Sequence, residues 1–328
     1  MSAIIRKVFL LTTLLCIALV LSSCASVQDY TDFVADYENS YRAQHPYEVH
    51  TVVRDGLAIH VREFGAKNPG TPIILMHGFP DSLHLYDRVI PLLADSRHVI
   101  AFDFIGWGNS SKPSQHVYDT SSLLHDLEAV IAYFRFQSVI LVGHDASGFP
   151  AIDWSLDHAE RTEALVLLNT VYSPMESVVP PEAIALFSTP SLLRTVRRWG
   201  AYRSDALWQS GLIEQTSKFY SDPAVRDVYV KIFAHQALTI RPAFFGLNEV
   251  LRDEVARRQV EVPRMQLFKQ PVVIIFGGDD PYLNTQVAKE FDATFPNSHL
   301  NIVKNAGHYV QLDQPAQVST LLLEAIGL

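Results

Sequence analysis

The chain has 328 residues, which suits one large core carrying a satellite domain. Hydrophobic residues at 48% and charged residues at 19% exclude a disordered chain and promise a sizeable core. A formal net charge of −9 argues against nucleic acid or anionic lipid as the main partner, because both attract Lys/Arg-rich surfaces.

At the N-terminus, Arg6 and Lys7 precede an apolar run from Val8 to Val20 that is short for a membrane span and has the form of an export signal. The run ends in Leu21-Ser22-Ser23-Cys24, which resembles a bacterial lipobox. That resemblance implies removal of residues 1–23 and a diacylglycerol on Cys24. With Ala25 after the cysteine, it implies attachment to the outer membrane of a bacterial envelope, where the host has one. The other cysteine, Cys16, falls in the removed segment, so no internal disulfide is expected. Residues 24–47 are polar and acidic and read as a tether, although Tyr30, Phe33, Tyr37 and Tyr41 could instead form a docking helix.

The core is expected over 48–172 and 264–328. His50–Arg54 and Ala58–Glu63 flank Asp55-Gly56, a hairpin signal, so antiparallel strands open the domain. Apolar runs follow at Ile73–Met76, Val99–Phe102, Val139–Val142, Leu165–Leu168, Val272–Phe276 and Leu300–Val303, mostly separated by helical patterns. This alternation predicts an α/β fold with a mostly parallel, eight-stranded sheet covered on both faces. Between 173 and 263 the strand signal gives way to helical periodicity rich in aromatics, which predicts a helical cap inserted after the sixth strand. Within the cap, Arg194, Arg197, Arg198 and Arg203 are a basic exception and read as a solvated helix face.

The strand Val139–Val142 runs into Gly143-His144-Asp145-Ala146-Ser147-Gly148. Small residues two positions either side of Asp145 suit a strained strand-to-helix turn that lifts its central side chain above the sheet. A plain loop with Asp145 capping the helix has the same local look. Two later segments decide between them. Gly277-Gly278-Asp279-Asp280-Pro281 and Ala306-Gly307-His308-Tyr309 each follow a strand, and so bring a carboxylate and an imidazole to the sheet edge where open α/β sheets bind ligands. Asp280 is preferred as the partner of His308, with Asp279 as its rival. His77-Gly78-Phe79-Pro80 follows another strand, and the amides of Phe79 and Ala146 are the expected oxyanion donors. Asp103 to Pro113, with Gly106 and Gly108, reads as a turn that braces the floor.

Together these segments resemble the α/β-hydrolase superfamily over nearly all of Val49 to Leu328. Asp at the elbow is similar to epoxide hydrolases and haloalkane dehalogenases. A carboxylate is ionised at neutral pH and needs no base before it attacks, which leaves His308, oriented by Asp280, free to activate water. The predicted reaction is attack by Asp145 on a saturated carbon, then hydrolysis of the alkyl ester.

The leaving group is less sharply marked. Haloalkane dehalogenases usually hold halide with Trp after the nucleophile and Asn or Trp elsewhere, whereas this chain has Ala146 and Phe79. Epoxide hydrolases share the His-Gly-Phe-Pro pattern and use cap tyrosines as acids, which makes Tyr202, Tyr220 and Tyr229 candidates. Epoxide opening is therefore the leading expectation, with C–halogen hydrolysis as the alternative. An esterase using Ser147 and a non-catalytic binding lipoprotein stand further back. No cofactor, metal ligand set or nucleic-acid partner is expected. The substrate is expected to be small to medium and apolar.

Overall fold

The computed structural model describes residues 26–325 and 327. The proposed signal and Cys24 lie outside the described residues.

Eight strands form one sheet: β1 Glu48–Arg54, β2 Leu57–Phe64, β3 Ile73–Met76, β4 Val99–Phe102, β5 Val139–Asp145, β6 Thr162–Thr170, β7 Val272–Gly277 and β8 Ser298–Val303. Their order across the sheet is β1-β2-β4-β3-β5-β6-β7-β8. The first hairpin turns at Asp55-Gly56, both with positive φ (53° and 79°), the mirror-image turn that matches strand twist. β2 also pairs antiparallel with β4, and every later pair is parallel. Alternation along the strands divides the apolar side chains between two cores. Ile74, Met76, Ile100, Phe102, Val139 and Leu141 pack on one face, while Ile73, Leu75, Val99, Ala101, Ile140 and Val142 pack on the other. Helices must therefore cover both faces.

Within the segment read as a tether, α1 (Thr31–Gln44) docks on the body. Val34 and Tyr41 are buried, the Tyr37 hydroxyl donates to Asp87 at 2.9 Å, and Glu38 pairs with the buried Arg62 at 3.0 Å. The aromatics noted in the sequence face the protein, so the docking-helix alternative describes this segment.

Core helices are α2 (Ile90–Ala94), α3 (Thr120–Phe134) and α4 (Gly148–Asp157). The cap follows β6 and comprises α5 (Glu182–Ser188), α6 (Leu192–Arg203), α7 (Asp205–Thr216), α8 (Pro223–Gln236), α9 (Arg241–Arg257) and the short α10 (Val262–Met265). After β7 the chain closes the core with α11 (Thr285–Thr294), α12 (Val310–Asp313) and α13 (Pro315–Ala325). The cap is fastened beside the elbow helix by Arg258, which is fully buried. It pairs with Asp153 of α4 at 2.6 Å and Glu254 at 3.0 Å, and its guanidinium lies 4.6 Å from the Phe149 ring centre.

Candidate active site

β5 ends at Asp145, whose φ of 49° lies in the left-handed region that side chains rarely adopt. Its surroundings hold that geometry. The Thr170 hydroxyl donates to the Asp145 carbonyl at 2.6 Å, and a Cβ on Gly148 would come within 1.9 Å of that same hydroxyl oxygen. Gly148 is therefore required by close approach. The turn directs the Asp145 side chain to the floor of a cavity of about 950 Å³ between core and cap.

Asp145 Oδ2 accepts the Phe79 amide at 2.9 Å, and Oδ1 stands 3.9 Å from Nε2 of His308. The other imidazole nitrogen, Nδ1, lies 2.8 Å from Asp280 Oδ2. Burial raises the Asp145 pKa, against the opposing pull of His308 and the Phe79 and Ala146 amides. Burial would depress His308, but Asp280 and then Asp145 outweigh it and raise its pKa above the ordinary imidazole value. Asp280 is penalised by burial yet held low by His308, by the Tyr282 amide and by Asn169.

The structure thus brings together Asp145, Asp280, His308, Phe79 and Ala146, which the sequence places in four separate loops. It also separates Asp280 from Asp279. The first is buried against His308, whereas Asp279 is exposed with a 3.5 Å contact to Ser221. Ser147 is buried: its hydroxyl accepts the His144 amide at 2.7 Å and lies 2.8 Å from the Met76 carbonyl. It braces the elbow and does not line this cavity.

The three cap tyrosines are elsewhere. Tyr202 is exposed on α6 against Phe245, Tyr220 packs on Tyr309, and Tyr229 shares a 3.0 Å hydrogen bond with Tyr37 of α1. None lines the cavity. Tyr220 and Tyr229 are taken up by packing, as aromatic residues on cap helices often are, and Tyr202 remains half exposed. The tyrosine that does line the cavity is Tyr282, two residues past Asp280. Its hydroxyl is 3.2 Å from Glu182 and 3.3 Å from Gln215.

Two further residues support the site. Asn169, at the end of β6, donates to Asp280 Oδ2 at 2.9 Å and accepts the Gly277 amide at 2.8 Å, which fixes the acid turn. Its signal in the sequence was a polar Asn-Thr pair closing a buried strand at the same sheet edge. Asp81, after His-Gly-Phe-Pro, accepts from the Tyr309 hydroxyl at 2.5 Å, and burial pushes its pKa up to about 7. Asp103 accepts the Leu83 and Asn109 amides, both at 2.8 Å, so that loop has the bracing role read for it.

Apolar side chains dominate the rest of the cavity wall, among them Phe149, Val171, Met175, Ile184, Leu212 and Phe244. Phe79 stacks on Phe244 with ring centres 5.1 Å apart and meets Trp107 edge-on at 5.4 Å. Polar Thr189, Arg252 and Gln259 are exposed where the cavity opens.

An eight-stranded sheet of this order, a carboxylate on a strained elbow and a capped apolar cavity define a hydrolase of the α/β class. The chain belongs to the alpha/beta hydrolase fold family, whose model matches residues 71–315. Epoxide hydrolase A of Mycobacterium tuberculosis is 26% identical over 313 residues, covering 82% of this chain and 95% of its own. Haloalkane dehalogenase 2 of the same species is 24% identical over 265 residues, covering 79% of this chain and 88% of its own. Among solved structures, a bacterial membrane phospholipase A superposes with a TM-score of 0.70 at 20% identity, over 98% of this chain and 100% of its own. That last likeness speaks to the fold alone.

Proposed function

We propose that this hydrolase opens an epoxide through an alkyl ester on Asp145. The observation that carries the reading is the division of labour between the two Asp145 oxygens. Oδ2 is held by the Phe79 amide, while Oδ1 faces His308 across 3.9 Å. In the first step Oδ1 attacks a ring carbon, the ring C–O bond breaks, and the alkoxide takes a proton. In the second step His308 Nε2 removes a proton from water, and the water oxygen attacks Cγ of the ester. Oδ2 then carries the negative charge, held by the Phe79 and Ala146 amides, each donor being worth about 3 kcal/mol of barrier. Collapse of this intermediate breaks the bond from Cγ to the alkyl oxygen, the departing diol oxygen takes the proton from His308, and the proton left on the Asp145 carboxyl returns to the group that protonated the alkoxide.

Ring strain favours the epoxide reading, because opening such a ring asks less of leaving-group stabilisation than expelling a halide does. Ala146 and Phe79 supply no side-chain donor to a halide. The similarity to epoxide hydrolase A agrees with this choice, and the near-equal similarity to haloalkane dehalogenase 2 keeps C–halogen hydrolysis as the alternative. With the three cap tyrosines outside the cavity, the proton for the alkoxide falls to Tyr282. The apolar wall fits an apolar substrate of small to medium size. For location, the lipobox-like Leu21 to Cys24 supports export and lipid attachment at Cys24 in a bacterial envelope.

The deciding experiment is a single turnover in ¹⁸O-water with an epoxide, followed by mass analysis of the peptide that contains Asp145. Solvent oxygen is expected in that carboxylate. Turnover without label would overturn the nucleophile assignment, and label with a haloalkane but not an epoxide would transfer the reading to C–halogen hydrolysis.

A further inference from the structure

Helix α6 (Leu192–Arg203) is built the wrong way round for a solvated face. At 100° per residue, Leu192, Val196 and Trp199 fall on one stripe, with Leu193 at its margin. That stripe points outward: Leu192 is 81% exposed, Leu193 56%, Val196 49% and Trp199 58%. The residue the helix buries is the small Ala201, on the opposite side. Four arginines and no acidic residue share these twelve positions, in a chain of net charge −9. Arg198 pairs with Glu249 and Arg203 lies over the Trp199 ring, while Arg194 and Arg197 form no ion pair among the described residues. Arg203 falls within this Trp/Leu stripe and Arg197 beside Leu193, whereas Arg194 and Arg198 fall on the Ala201 side. Exposed apolar side chains interleaved with cations are the pattern of a helix lying in a membrane interface, where apolar groups enter the acyl boundary and cations meet anionic headgroups.

Two other features lie beside it. Gln209 of α7, which follows α6 directly, clasps the backbone of Gln28: it accepts the Gln28 amide at 2.8 Å and donates to the Gln28 carbonyl at 2.9 Å. Cys24 precedes Gln28 by four residues, a reach of roughly 14 Å at most. A lipid on Cys24 would therefore be tied by a span of four residues to Gln28, held on α7 by Gln209. One exposed residue of the cavity lining, Thr189, precedes Leu192 by three residues.

We propose that α6 docks on the surface of a phospholipid bilayer containing anionic headgroups, and that this docking sets the cavity mouth against the membrane so that apolar substrate enters from the lipid phase. The position of the anchor rests on the lipidation of Cys24, whereas the docking itself is read independently of catalysis.

The test uses full-length protein reconstituted with phosphatidylcholine vesicles, with or without phosphatidylglycerol, whose acyl chains carry bromine. Of the four tryptophans, Trp107, Trp154 and Trp208 are buried, so Trp199 is the reporter. With phosphatidylglycerol present, the Trp199 share of the emission, taken as the difference from the Trp199→Phe protein, should be quenched. Trp199→Phe should remove that quenching, and Leu192→Asp with Val196→Asp should abolish it. The same pair of changes should slow turnover of a bilayer-dissolved epoxide and leave that of a water-soluble one unchanged. Quenching that survives Asp145→Asn separates docking from the catalytic reading, and mass analysis of Cys24 reports the anchor on its own. Trp199 left open to aqueous iodide and untouched by the brominated chains would overturn the proposal. So would shielding of Trp199 by self-association without vesicles, which would make this face an interface between copies.

Discussion

The sheet edge and the cap are assembled on opposite principles. At the edge, each functional group is held by several hydrogen bonds: Asp280 by His308, Asn169 and the Tyr282 amide, and Asp145 by the Phe79 amide and a braced backbone. The cap supplies an apolar wall to the cavity and, in α6, leaves its largest side chains in solvent. Chemistry needs atoms fixed to fractions of an ångström, whereas capture of an apolar substrate needs surface and volume. The difference teaches where to look for each kind of effect: rate at the edge, delivery and stability in the cap.

The sharpest break of that contrast is Asp145→Asn, expected to lower kcat/KM at least about 10⁴-fold with the thermal transition little changed. Steady-state kinetics beside a melting curve checks it, and a parallel collapse of stability would erase the distinction between edge and cap. Next comes Asp280→Asn, expected to lower kcat on the order of 10²–10⁴-fold. It also carries a sign. The Asp280 charge raises the His308 pKa, so its removal lowers that pKa, and the acid limb of the kcat profile should move to lower pH. A limb that stays in place would mean that another group titrates there.

The cap side is probed by Arg258→Met, which leaves Asp153 and Glu254 without their buried cation. Stability should fall by about 3–5 kcal/mol in denaturant unfolding, with a much smaller change in kcat for the folded fraction. The smallest effect is expected from Tyr282→Phe: a loss of kcat of about 10²-fold or less, with KM nearly constant, if its hydroxyl protonates the alkoxide. A pure KM effect would make Tyr282 a lining residue only.

Much of the edge was legible from local sequence, because each active-site loop follows a strand, and a strand followed by a Gly-containing turn can be read in a short window. Asp145, Asp280, His308, Phe79 and Ala146 all have that setting. Asn169 was missed because its role is to bridge two strands that meet only in the sheet, 108 residues from Gly277. The cap tyrosines misled because an aromatic residue on an amphipathic helix has the same local pattern whether it faces a cavity, a neighbouring helix or water. Tyr229 went to Tyr37, Tyr220 to Tyr309 and Tyr202 to the surface.

What the amino-acid sequence determined by itself was the periodic and the punctuated: strand order along the chain, the elbow, the hairpin, the cap's place after β6, and which carboxylates and imidazole stand at the strand ends. These follow from alternation, turn chemistry and charge, which are properties of neighbouring residues. Only the tertiary structure decided between Asp279 and Asp280, turned Ser147 into a brace, docked α1, and left the apolar stripe of α6 facing outward. Each of those outcomes depends on which surfaces meet across the fold, and burial is a property of the assembled chain rather than of any segment.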